Sequence, residues 1–250
     1  MMAEQPAPNV AAWDGVPNSG APLGVLMLDT HFPRVPGDVG NAATWPFPVL
    51  YRTVEGAIGT EVVRDLRPER LLEPFVEAAL ELERAGVSLI TTSCGFLVLF
   101  QQELQARLHV PILSSSLLQV PWLLTLLPPS RQVGVLTIEG RSLSPPHLAA
   151  AGVADPERVA IFGLDEAGGY FTRQILGDRT ELDVARAAAE HEIATRMLLD
   201  RHSNVGAIVL ECTNMPPYAE RIRAVSGLPV YDLTTLIGWA IGGMGVADRA

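Results

Sequence analysis

The sequence predicts an α/β fold of two pseudosymmetric, Rossmann-like lobes with mainly parallel sheets and a cleft between them. Three observations lead there. Short apolar runs alternate with amphipathic stretches of helical spacing along most of the chain. Two segments recur: "GVLMLDT" (Gly24–Thr30) pairs with "GVLTIEG" (Gly134–Gly140), and "GVSLITTSC" (Gly86–Cys94) pairs with "VGAIVLEC" (Val205–Cys212). The spacing repeats as well, since Cys94 to Pro111 and Cys212 to Pro229 are both 17 positions.

The elements follow in order. "LGVLML" (Leu23–Leu28) is a buried-strand run. Pro68 to Gly86 has helical spacing, with proline at its opening and glycine at its close. "VSLITTS" is the next strand, and Phe96 to Leu108 reads as a helix. "VPILSSS" and "VGVLTI" are strands on either side of the "LLPPS" turn. Glu181 to Arg201 is a strongly amphipathic helix, and "VGAIVLE" the strand after it. Pro216 to Gly227 is a helix, "LPVYDL" a last strand and Thr234 to Gly245 a last, glycine-rich helix. The expected division is a loose tail over residues 1–22, a first lobe over 23–118 plus 232–250, and a second lobe over 119–231.

Composition excludes several function classes. The 250 residues carry a net charge of -10, which disfavours nucleic acid or an anionic membrane as partner. No apolar run is long enough to span a bilayer. The first residues lack a basic start and an apolar core of signal-peptide length, so a cytoplasmic location is expected. The partners expected are a small carboxylate substrate and a second copy of the chain in a homodimer.

Cys94 and Cys212 are the only cysteines, and each ends an apolar strand. In open α/β sheets that end of the strands is where ligands bind. Two lobes facing each other therefore put the thiols on opposite walls of one cleft. Neither has a CxxC or HxxxH companion, so no metal site is expected. A reducing compartment argues against a disulfide. At helix N-termini both thiols are expected to be more acidic than usual. Such a pair suits proton removal from one face of a carbon and proton delivery to the other.

On "TTSC" with Gly95, "ECTNMPP" around Cys212, the paired strands "VPIL" and "LPVY", and the opening "LMLDTHFPRVPGDVGNAATWPFPVLYR", the chain resembles the aspartate/glutamate racemase superfamily from about Leu23 to Ile241. The resemblance implies two α/β lobes, no cofactor, and proton transfer by Cys94 and Cys212. The reaction expected first is racemisation at a carbon next to a carboxylate, on an amino acid or related small acid. Arylmalonate decarboxylases, maleate isomerases, hydantoin racemases and algal dimethylsulfoniopropionate lyases share the scaffold, so a lyase, decarboxylase or isomerase is the alternative. A silent small-acid binding protein is a third reading.

Glutamate racemases carry Cys-Asn-Thr and Gly-Cys-Thr-His where this chain has Cys94-Gly95-Phe96 and Glu211-Cys212-Thr213-Asn214. Thr213 matches, and is expected to hold a carboxylate. Asn214 cannot shuttle a proton as histidine would. Gly95 is expected to leave space beside the first thiol and Phe96 to supply an apolar face, favouring a monocarboxylate. Asp29 and Thr30 at the first strand end, Ser93 before the thiol, and Arg34 in a Gly/Pro loop complete the substrate-binding candidates. Glu139 and the serines 114–116 are weaker ones. His31 lies near the cleft, "GGY" (Gly168–Tyr170) reads as a turn, and His109 and His191 read as surface residues.

Overall fold

The computed structural model describes residues 22–245. The tail expected over residues 1–22 lies outside them, Pro22 excepted. The two lobes repeat one plan. In the first, β1 (Leu23–Leu28), β2 (Val49–Val54), β3 (Leu89–Thr92) and β4 (Ile112–Leu113) form a sheet of order β2-β1-β3-β4. In the second, β5 (Gln132–Thr137), β6 (Val159–Gly163), β7 (Val205–Leu210) and β8 (Val230–Tyr231) form a sheet of order β6-β5-β7-β8. Every pairing is parallel, with Leu23 opposite Leu89 in one sheet and Val133 opposite Ala207 in the other. All six residues of β1 are buried, as a central parallel strand covered on both faces requires.

The helices repeat too. α1 (Gly59–Arg64), α2 (Pro68–Arg84), α3 (Gln101–Gln105) and α4 (Val120–Leu126) correspond in order to α6 (Tyr170–Leu176), α7 (Val184–Arg201), α8 (Ala219–Ser226) and α9 (Leu233–Gly243). A further short helix, α5 (Pro145–Ala150), belongs to the second half. The repeated glycine of the "GV" segments has a packing cause. A Cβ on Gly24 would lie 3.0 Å from Leu82 of α2, and one on Gly134 would lie 2.9 Å from Leu198 of α7. Each glycine lets the long helix of its lobe approach the central strand.

α2 starts at a proline and buries Leu71, Phe75, Ala78, Ala79 and Leu82 on one face. α7 is capped by Asp183, which accepts from the Arg186 amide at 3.0 Å. α9 is held by a capping box between Asp232 and Thr235. It lays Leu233, Leu236, Ile237 and Ile241 on Leu23, Val25 and Leu89 of the first sheet. No helix among the described residues is long and apolar enough to cross a membrane.

Several elements depart from expectation, the short helices α1, α4, α5 and α6 among them. Of the four edge strands, β2 and β6 are not anticipated; both carry partly exposed positions, so their periodicity is weak. The helix expected over Phe96–Leu108 is instead a 3-10 segment, Gly95–Phe100, followed by the five residues of α3. Its side chains are buried nearly all round, so packing against both lobes, rather than an amphipathic stripe, sets its conformation.

Candidate active site

Cys94 lies two residues beyond β3, and Cys212 two residues beyond β7. Both line one cavity between the lobes and are 9% and 7% exposed. The turn at the first thiol is fixed by Thr92, whose hydroxyl shares its one proton between the carbonyls of Ser114, at 2.8 Å, and Cys94, at 2.9 Å. The Ser93 hydroxyl accepts from the Leu28 amide at 2.9 Å, tying the turn to β1. On the other side the Thr213 hydroxyl donates across the lobe boundary to the Ser93 carbonyl at 2.6 Å.

The floor of the site is a chain of polar side chains. Arg34 donates to Thr30 Oγ1 at 2.9 Å and to Asp38 Oδ1 at 3.0 Å. Asp38, 2% exposed, also accepts from the Gly40 amide and, through Oδ2, from Asn214 Nδ2, each at 2.7 Å. A carboxylate accepts only, so this contact fixes the Asn214 amide with Oδ1 turned to the thiol. Cys212 Sγ donates to that oxygen at 3.3 Å. The rest of the wall is apolar, with Leu28, Phe32, Phe96, Ile138, Ile175 and Leu176. Phe96 is 1% exposed and meets His147 edge-on at 5.1 Å.

Electrostatics overturn one expectation. Burial, and then the neighbouring Glu211 carboxyl, push both thiols above the ordinary cysteine range. The backbone amides of Phe96 and Leu97 beside Cys94, and of Asn214 beside Cys212, oppose this without prevailing. The short 3-10 segment after Cys94 brings little dipole, the one near Cys212 begins only at Pro216, and desolvation of an anion outweighs both. Glu211, fully buried, is pushed up to about 8 by the same desolvation despite the hydroxyl of Thr137 donating to Oε2 at 2.7 Å. It therefore carries its proton at neutral pH.

Of the residues expected at the site, Cys94, Cys212, Thr30, Arg34, Ser93, Gly95, Phe96 and Asn214 line the cavity. Asp29 and Thr213 do not. Asp29 accepts from the Gly56 amide at 3.1 Å, and the Thr213 hydroxyl, spent on Ser93, braces the lobes rather than holding a ligand. The space expected beside Gly95 is filled: a Cβ there would strike the side chain and the carbonyl of Glu211.

Glu139 sits outside the cavity, clasped by Arg64 with Nη2 to Oε1 at 2.6 Å. Ser114 pairs with Gln101, Ser115 caps the Leu117 amide, and Ser116 donates to the Leu210 carbonyl, so none of the three faces the cavity. His31 is on the rim, its ring 2.8 Å from Asp178. Gly168 and Gly169, at φ 124 and 66, make the turn into α6. His109 is exposed, its ring paired with Glu83. His191 is not a surface residue: it is fully buried, stacked on Tyr218 at 4.2 Å and edge-on to Phe171 at 4.7 Å. Of its charged neighbours in sequence, Glu192 turns out to Arg196 and Arg221, whereas Glu190 is itself buried and accepts from the amides of Tyr170 and Phe171. Asp38 and Glu211 were not foreseen. The one available signal was the i,i+4 spacing of Arg34 and Asp38; for Glu211 there was only its place before the thiol.

Comparison with known proteins agrees with this architecture. The profile of the Asp/Glu/Hydantoin racemase family matches residues 49–241. The chain belongs to this family. Among relatives, a dimethylsulfoniopropionate lyase of Durusdinium sp. clade D is 30% identical over 85% of this chain and 71% of its own length. Dimethylsulfoniopropionate lyase 7 of Emiliania huxleyi is 31% identical over 85% of this chain and 64% of its own. The chain thus spans about two thirds of the length of these relatives. Among solved structures, allantoin racemase from Klebsiella pneumoniae superposes with a TM-score of 0.59 at 14% identity, covering 89% of each chain. At that identity the likeness speaks for the fold.

Proposed function

We propose that the protein is a lyase that removes a proton next to a carboxylate and expels a β-sulfonium group, with dimethylsulfoniopropionate as substrate. The observation that carries this reading is the 30% identity to a dimethylsulfoniopropionate lyase along 85% of the chain, in a protein whose two thiols line one cavity. The wall suits such a substrate. Phe96 offers aromatic surface to a methylated cation that has no N–H to satisfy, whereas the Phe32 ring carries the Arg34 guanidinium at 4.5 Å. Arg34 is the cation on the wall and the partner for the carboxylate.

The hydrogen bonds divide the work between the thiols. The Cys212 proton is engaged by Asn214 Oδ1 and one amide, that of Asn214, favours its anion, whereas the Cys94 proton has no such acceptor among the described residues and two amides, of Phe96 and Leu97, favour its anion. Cys94 is therefore the base. The positive sulfonium offsets part of the burial cost of the thiolate when it binds beside it. The thiolate takes the proton from the carbon next to the carboxylate, and the C–H electron pair becomes the new double bond. The C–S bond breaks, and its electrons leave with neutral dimethyl sulfide. Acrylate remains, and the Cys94 proton returns to solvent. The cavity, about 30 Å³, is far too small for this substrate, because one water takes about 10–15 Å³ of such space. Entry requires lining residues of the two lobes to part.

Amino-acid racemisation is the second reading, favoured by one observation: both thiols reach the same cavity, and an elimination uses one base. The test separates them. Wild type, Cys94→Ser and Cys212→Ser are assayed for dimethyl sulfide and acrylate from dimethylsulfoniopropionate. The same proteins are given amino acids and hydantoins in deuterated water. We expect release by wild type, loss of about 10²–10⁴-fold in Cys94→Ser, and a smaller loss in Cys212→Ser. Absence of sulfide release, with deuterium entering an α-carbon and both variants dead, establishes the racemase reading instead.

A further inference from the structure

We propose that the Glu211 carboxyl is a third catalytic group, reaching from the second lobe to Gly95 and donating a hydrogen bond to the substrate carboxylate as negative charge builds on it. This rests on the reading of the cavity as a site for α-proton removal from a carboxylate.

The geometry is specific. Glu211 lines the cavity with both thiols and is 0% exposed. Its Oε2 accepts from Thr137 at 2.7 Å, while Oε1 has no hydrogen-bond partner among the described residues. A buried polar atom left unpaired is costly, so a partner for it is expected to come with the ligand. Gly95 makes the room, since any Cβ there would strike Oε1 and the Glu211 carbonyl.

The protonation state agrees. Burial pushes this carboxyl up to about 8. With Oε2 accepting from Thr137, the proton sits on Oε1, so the free atom is a donor. A carboxylate oxygen is the matching acceptor. Charge grows on that oxygen when the α-proton leaves, so the bond strengthens in the transition state. The groups facing Glu211 are the thiols of Cys94 and Cys212 and the hydroxyl of Thr137, with Arg34 further along the wall and Asp38 behind it. Both thiols stay protonated as pH rises through about 8, so Glu211 ionises first and its donor becomes a repelling anion.

The experiment uses wild type, Glu211→Gln and Glu211→Ala. Binding of acrylate is measured by calorimetry, and dimethylsulfoniopropionate turnover by gas chromatography, each across about one pH unit either side of 8. In wild type, acrylate affinity should fall about tenfold per pH unit above about 8, and kcat/KM should stop rising there, because the gain in Cys94 thiolate is cancelled by loss of the Glu211 proton. Glu211→Gln keeps an N–H donor and should retain most of the activity without this alkaline limb. Glu211→Ala should lose about 10²–10³-fold in kcat. Acrylate binding with the same Glu211 dependence, but no sulfide release by wild type, supports the contact while removing the lyase reading. Retention of the alkaline limb in Glu211→Gln, or a glutamine variant as impaired as the alanine one, overturns the proposal. The glutamine variant is isosteric, so its outcome stands even where the alanine variant misfolds.

Discussion

Replacing Asp38 by asparagine tests whether the buried polar chain sets the second thiol. Asp38 accepts from Arg34, from the Gly40 amide and from Asn214, with its side chain 3% exposed and that of Arg34 12%. The substitution removes the counter-charge of a nearly buried guanidinium, for which breaking one partner costs about 3–5 kcal/mol. The new amide oxygen still receives Arg34 and the Gly40 amide, so the lower end, about 3 kcal/mol, is expected. Its NH₂ then meets the NH₂ of Asn214. Asn214 must turn over, which presents a donor rather than an acceptor to Cys212 and makes that thiol more acidic. Urea denaturation of wild type, Asp38→Asn, Arg34→Met and the double variant gives the stability and the coupling. Reaction with a thiol reagent as a function of pH gives the acidity. A coupling under about 0.5 kcal/mol, as for independent sites, with Cys212 titrating as in wild type, would refute the reasoning.

Three further outcomes are expected. Gly95→Ala should cost about 1–3 kcal/mol in thermal denaturation and most of the turnover, because the added methyl meets a backbone carbonyl as well as a side chain; unchanged stability would sink the close-approach account. His191 is held neutral, burial lowering its pKa from 6.5 to about 4. The unfolded chain therefore binds the extra proton in that window, so stability is full above 6.5 and falls by about 3 kcal/mol as pH drops to about 4. His191→Phe, among Phe171 and Tyr218, should remove that acid-side loss in urea titrations, and an unchanged pH slope would contradict it. Asp178 accepts from the amides of His31 and Phe32 at 2.6 and 2.9 Å and so fixes one side of the rim. Asp178→Ala should raise KM and speed hydrogen exchange at those two amides; exchange at the wild-type rate would show that the rim is held by other contacts.

The alternating runs and the recurrent "GV" and cysteine segments determined the two-lobed parallel architecture, because repeated strands with one burial pattern must pair in the same way. They also marked the two thiols, since position at a strand's carboxyl end is a matter of local order along the chain. The edge strands β2 and β6 were not legible, because their half-solvated positions give a mixed pattern, whereas the edges β4 and β8 follow a proline in short apolar runs. The acidity of the thiols was misjudged for a related reason. A helix start is visible in sequence, whereas the burial that outweighs it exists only in the folded chain, with Glu211 adding to it at both thiols. Asp38 and Glu211 look in sequence like ordinary loop and strand-end acids. Tertiary packing alone decided that one would orient Asn214 and the other would sit protonated against Gly95, because the low dielectric and the partners that impose those roles lie 176 and 116 positions away. His191 shows the same limit: its charged neighbours in sequence suggest water, but the helix face it occupies is closed by the rings of Phe171 and Tyr218.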